Sequence, residues 1–126
     1  MFGGRNLLSD IKGLEKWNVI NGNDFSNMFR GCKLSDIKAL GKWNLSNCKN
    51  FSCMFHTCRL LSNIKPLNVS KGKNFSFMFS WCSLLEDIKP LDKWDVSNGN
   101  DFSNMSRGCN KLINIKVLKK LNNLMI

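Results

Sequence analysis

The sequence is short of the residues from which catalytic centres are built. Its 126 residues hold nine acidic side chains and one histidine, His56. There is no Gly-rich phosphate loop, no paired-carboxylate site and no nucleophile elbow. His56 has no carboxylate placed to orient it, which removes a Cys-His nucleophilic pair. An enzyme is therefore not expected, and no cofactor is called for. Long apolar runs are missing as well. The most apolar window, Phe75–Leu85, is too short and too serine-rich to cross a bilayer. Met1–Lys12 has neither the basic start nor the apolar stretch of a signal peptide. The expectation is a soluble chain without a transmembrane segment, its compartment and oligomeric state left open.

The scarcity of acids has a second consequence. Nineteen Lys and Arg residues stand against nine Asp and Glu, a formal net charge of +10. Such a surplus favours polyanions: sulfated glycan, nucleic acid or an anionic membrane surface. An AT-rich coding sequence also produces abundant Asn and Lys, so charge alone does not name a partner.

What the chain has in quantity is repetition. Asp24–Leu40 reads DFSNMFRGCKLSDIKAL, and the pattern returns at Asn50–Leu67, Asn74–Leu91 and Asp101–Leu118. Met28, Met54, Met78 and Met105 mark the copies at spacings of 26, 24 and 27 residues. A period in this range belongs to stacked arrays, whose units cannot bury their apolar faces alone. The chain is read as one repeat domain over 1–126. It has a partial copy at 1–14, copies at about 15–40, 41–67, 68–91 and 92–118, and a C-terminal cap over 117–126. The cap is expected from Val117, Leu118, Leu121, Leu124 and Met125 sharing one helical face. Because Met1-Phe2-Gly3-Gly4 aligns with Met28-Phe29-Arg30-Gly31, the chain starts inside a repeat, either at an internal methionine or as a piece of a longer array.

Within a copy, alternation predicts an extended segment at Leu34–Leu40. Ile37 would face inward and Asp36 and Lys38 outward, with Ile11, Ile64, Ile88 and Ile115 in the same place. Phe25, Met28 and Phe29 fall at i, i+3, i+4 and predict a short helical piece; Phe51/Met54/Phe55 and Phe75/Met78/Phe79 repeat it. Asp24, Asn50, Asn74 and Asp101, or the serines two residues on, would cap it. Trp17, Trp43 and Trp94 recur with the period and so read as core. The copy between the last two omits this residue: Leu67 runs directly into Asn68-Val69-Ser70, which predicts a tightened turn.

Cys32, Cys58, Cys82 and Cys109 occupy one repeat position, which reads as a buried ladder of small side chains. Disulfides between adjacent copies under oxidising conditions are the competing reading. Cys48, Cys53, His56 and Cys58 make the one metal-like cluster, but Cys58 belongs to the repeat and Cys53 stands where Asn27 and Phe77 stand. No metal site is expected.

Stacking would align Lys12, Lys38, Lys65, Lys89 and Lys116 beside Asp10, Asp36, Asn63, Asp87 and Asn114. This column is the candidate binding face. The plainer reading is a solvated ladder balanced by its own carboxylates.

Asn27-Met28-Phe29-Arg30-Gly31-Cys32 and Trp94-Asp95-Val96-Ser97-Asn98 resemble the repeat of BspA-like leucine-rich-repeat surface proteins, including mycoplasma-type surface lipoprotein repeats. The resemblance covers nearly the whole chain. It implies an α/β solenoid, a right-handed coil of short parallel strands and short helices with about four to five turns. It also implies a secreted or surface-attached adhesion protein. The expected function is a non-catalytic protein-interaction or adhesion module whose partner is another protein. A basic module for polyanionic glycan, with nucleic acid ranked behind it, is the alternative. A purely structural piece of a longer array is the third reading.

Overall fold

A computed structural model describes residues 11–112. Asp10, Asn114, Ile115, Lys116 and the cap over 117–126 lie outside the described residues, as does most of the partial copy at 1–14.

Hydrogen bonds join equivalent residues of successive copies. The N–H groups of Phe25, Asn27, Phe29 and Gly31 donate to the carbonyls of Asn50, Ser52, Met54 and His56. Phe51, Cys53, Phe55 and Thr57 donate in the same way to Asn74, Ser76, Met78 and Ser80. Phe75, Phe77, Phe79 and Trp81 donate to Asp101, Ser103, Met105 and Arg107. All twelve bonds measure between 2.6 and 3.0 Å and all run from one copy to the next. Parallel bridges link Asp24, Asn50, Asn74 and Asp101 along the same edge.

The intervening N–H groups bond backwards within their own copy. Met28 donates to Phe25, Arg30 to Asn27 and Cys32 to Phe29, each closing a turn of three residues. The Phe-Ser-x-Met-Phe run is thus a ribbon of turns, not the short helix its spacing predicts. Its cause is a left-handed residue at every fourth position. Asn27, Cys53, Phe77 and Asn104 have φ between 53° and 59°, and the residues before the ladder cysteines, Gly31, Thr57, Trp81 and Gly108, have φ between 60° and 78°. One such residue ends an α-helix; two per copy leave no room for one. The ribbon still buries Phe25, Met28, Phe29 and Cys32 together.

The capping expectation changes accordingly. Asp24, Asn50, Asn74 and Asp101 each accept the N–H of the serine two residues on, at 2.9–3.0 Å. These are Asx turns that start the ribbon.

The regular helices lie elsewhere and are of the tighter 3-10 form: α1, Leu14–Lys16; α2, Lys38–Lys42; and α3, Lys89–Lys93. Two of them occupy the end of the segment expected to be extended. Ile37 and Ile88 already leave the extended region, at ψ 27° and 15°, and the only parallel bridge described in this segment is Asn63–Asp87. Each 3-10 turn delivers a tryptophan: the N–H of Trp17, Trp43 and Trp94 caps it by bonding Leu14, Leu40 and Leu91. The copy without tryptophan has no such turn. Between Leu67 and Asn68 it lacks the three residues that Gly41-Lys42-Trp43 supply in the preceding copy, one full 3-10 turn. Trp94 reaches across that copy, and its indole N–H donates to the Lys65 carbonyl at 3.3 Å.

Ile11, Ile37, Ile64 and Ile88 are buried, as are all the phenylalanines and methionines assigned to the core. Phe29, Phe55 and Phe79 stack with centroids 5.6–5.7 Å apart, and Phe51, Phe75 and Phe102 stack at 5.3 Å. Each such pair adds about 0.5–1.5 kcal/mol to the burial of the rings. Trp43 and Trp94 are buried, but Trp17 is 42 % exposed. Its core assignment is corrected: Trp17 stacks on Trp43 at 6.5 Å and lies partly open at the surface.

All six cysteines are free thiols, and the four ladder cysteines are buried. Cys58, Cys82 and Cys109 each donate their S–H to the carbonyl of Phe29, Phe55 and Phe79 in the preceding copy, at 3.0–3.2 Å. Burial pushes the ladder thiols up, Cys58 to about 12 and Cys109 to about 11.

Candidate functional site

The Lys column is assembled by the same registration. Ser62 N–H donates to the Ser35 carbonyl at 3.2 Å and Glu86 N–H to the Ser62 carbonyl at 3.3 Å, which lays the segments holding Asp36, Asn63 and Asp87 side by side. Lys12, Lys38, Lys65 and Lys89 are exposed along it. The carboxylates are fixed locally. Asp36 accepts the N–H of Lys38 at 3.0 Å, and Asp87 that of Lys89 at 2.8 Å. Each Asx turn thereby sets a carboxylate and an ammonium two residues apart on one loop.

A shallow depression follows this column. Lys12, Glu15, Asp36 and Lys38 line one part; Asp36, Lys38, Asn63, Lys65, Asp87 and Pro90 line the next. Asp36 and Lys38 belong to both, so the parts are continuous over four copies, the partial one included. Two ammonium groups one strand spacing apart repel by about 0.9 kcal/mol in water. The interleaved carboxylates offset part of that, and the lysines remain in excess. The surface can form ion pairs and hydrogen bonds of both polarities with a partner laid along it. It has no convergent nucleophile and base.

The metal-like cluster is not brought together. Cys48 S–H donates to the Asn50 carbonyl at 3.4 Å and Cys58 S–H to that of Phe29. Among the described residues, no group of three or more His, Cys, Asp or Glu is arranged to hold a metal ion. His56 packs edge-on to Phe77 at 6.3 Å. Its pKa is lowered by burial first and by the Arg30 guanidinium second.

One exposed side chain escaped the sequence reading. Trp81 is 42 % exposed, in a left-handed conformation that two sister copies give to glycine and the third to Thr57. The signal for it was a departure from the repeat, not a member of it.

Among the described residues, no helix is long and apolar enough to cross a membrane. The described residues define a repeat protein whose copies stack in register and carry a mixed-charge face across several layers. The chain belongs to the family described as Mycoplasma protein of unknown function, DUF285, which matches residues 1–120. No curated protein and no solved structure matches it.

Proposed function

We propose that the protein is a non-catalytic interaction module, a leucine-rich-repeat-like solenoid that binds another protein along the Lys/Asp column. The observation that carries this reading is the continuity of the depression over Asp36, Lys38, Asn63, Lys65 and Asp87, with its carboxylates fixed by their own backbone. A partner segment laid across the copies meets one ammonium and one carboxylate or amide per layer, which suits many shallow contacts rather than one deep anchor. Resemblance to BspA-like surface repeats supports a role in adhesion at the cell surface. Protease shaving of intact cells that carry the protein tests the location, since a surface protein is cut without lysis.

The binding role is tested with a displayed library of random peptides selected on the full chain. The enriched peptides are then assayed against a Lys38→Glu/Lys65→Glu/Lys89→Glu variant whose circular dichroism matches the parent. The expected outcome is enrichment of peptides with spaced charges that lose at least tenfold in affinity on the variant. Peptides that bind the variant as well as the parent, or no enrichment at all, would overturn the assignment.

A further inference from the structure

The ribbon side of the copies carries basic charge only. The stretches 25–35, 51–62, 75–85 and 102–112 contain no Asp or Glu, yet they hold Arg30, Lys33, Arg59, Arg107 and Lys111, all exposed. Every arginine among the described residues lies here. Registration puts Arg30 and Arg107 in one row: Gly31 N–H bonds the His56 carbonyl, Thr57 that of Ser80, and Trp81 that of Arg107. Arg30 and Arg107 therefore sit three layers apart, roughly 14 Å at one strand spacing per layer. Lys33 and Arg59 line a shallow depression with Gly31, Thr57 and Leu60.

An aromatic platform stands in this row. Trp81 adopts φ 63° and Phe77 φ 56°, conformations in which bulky residues are outliers. Two sister copies use Gly31 and Gly108, and Asn27 and Asn104, at these two positions; the remaining one has Thr57 and Cys53. Gly108 is shaped to the indole: a Cβ there would fall 2.4 Å from the Trp81 ring. The ring is thus supported from the next copy while 42 % of the residue stays open to solvent. Strain of this kind, kept at an exposed aromatic, points to a use at the surface.

From this juxtaposition we infer that the acid-free ribbon face binds single-stranded nucleic acid, with phosphates on Arg30, Arg59 and Arg107 and a base stacked on Trp81. A guanidinium row grips phosphate oxygens in its planar fork. A supported, half-open indole accepts any base by its π face. This surface is separate from the Lys/Asp column and does not depend on it.

The test is fluorescence anisotropy of the full chain with a short labelled oligodeoxythymidylate, its abasic counterpart and a sulfated oligosaccharide of similar charge, over a salt series. Three phosphate contacts give a log–log salt slope of about −2. Trp81→Gly, which places glycine where sister copies have it, weakens the oligonucleotide about tenfold, while Trp81→Phe keeps most of the affinity. Arg59→Gln, a surface change, flattens the slope by about 0.7. Lys38→Gln/Lys65→Gln leaves binding within about twofold of the parent, the control for the other face. Abasic strand or sulfated sugar binding as tightly as the oligonucleotide would overturn the inference in favour of a general polyanion surface. So would an unaltered affinity in Trp81→Gly, an equal loss in the Lys38/Lys65 variant, or no binding.

Discussion

Raising the pH should unfold this protein through its thiol ladder. Cys58 and Cys82 are fully buried, each S–H bonded to a carbonyl of the preceding copy. Burial, followed by the adjacent thiols, holds both above the ordinary value of 9.0, Cys58 at about 12. The folded state therefore keeps a proton that the unfolded state releases. Stability is full below the unfolded value and falls as pH rises toward the folded one. At about pH 10 an unfolded thiol is ionised roughly nine times in ten, and a group still protonated in the fold loses about 1.4 kcal/mol. Cys58 and Cys82 together lose roughly 3 kcal/mol, a large share of the 5–15 kcal/mol typical of a domain. Cys48 and Cys109, raised by burial to about 11, lose nearly as much each at this pH. Urea denaturation followed by circular dichroism between about pH 8 and 10 reads the loss. The chain has no tyrosine, so no phenol titrates in this window, and ultraviolet thiolate absorbance on unfolding reports cysteine alone. Cys82→Ser removes one proton from the linkage and should lessen the total loss between about pH 8 and 10 by about 1.4 kcal/mol. A stability flat across the window, or the same slope in the variant, would refute the ladder as the source.

Five further outcomes follow from the geometry. Gly72→Ala should destabilise by about 1–3 kcal/mol, because a Cβ there falls 2.3 Å from the Phe75 ring. Gly41→Ala, in α2 with nothing within 4 Å, should stabilise by about 0.4–1 kcal/mol; thermal melts compare the two. Cys53→Asn, at φ 57°, should raise stability by about 1 kcal/mol, since asparagine tolerates the left-handed region better. Ser80→Ala should be neutral to stabilising by about 1 kcal/mol, because the buried Ser80 hydroxyl has no hydrogen-bond partner. His56 should titrate below the ordinary histidine range, and Arg30→Gln should move it back toward that range. Proton NMR of the imidazole measures this, and the sign means that His56 favours folding less as the pH falls through the unfolded histidine value.

The burial pattern was legible because a repeated apolar residue has one physical explanation. Ile37, Phe55, Met78 and Cys82 are spaced by the period and lie in the interior. The backbone that carries them was harder to read. Phe25, Met28 and Phe29 fit a helical face, and the turn ribbon satisfies the same spacing, so periodicity could not separate the two. The deciding evidence was the four-residue interval between Asn27 and Gly31 and between Asn104 and Gly108, residues that accept positive φ. Cys53, Thr57, Phe77 and Trp81 hid it in the middle copies by occupying the same conformation against their preference. Trp17 shows the opposite limit: its repeat position matches Trp43, but one is exposed and the other buried, a difference that the motif does not record. The Lys column could be placed from register alone. The basic ribbon face could not, because Arg59 and Trp81 appear there only where copies differ.

The lateral ladder has a direction. In every interface described, ribbon N–H groups point to the following copy and ribbon carbonyls to the preceding one, while the cysteine S–H groups point the opposite way. The array is therefore vectorial, with unlike ends. Two such ends of the same kind set ribbon donors against donors or ribbon acceptors against acceptors, while the N–H groups of Lys49, Ser62, Lys73, Glu86 and Asn100 run the other way, to the preceding copy. A head-to-tail join satisfies both sets at once. A rotationally symmetric contact through this edge leaves the ribbon bonds unmade, so an exposed edge favours further copies added in one sense.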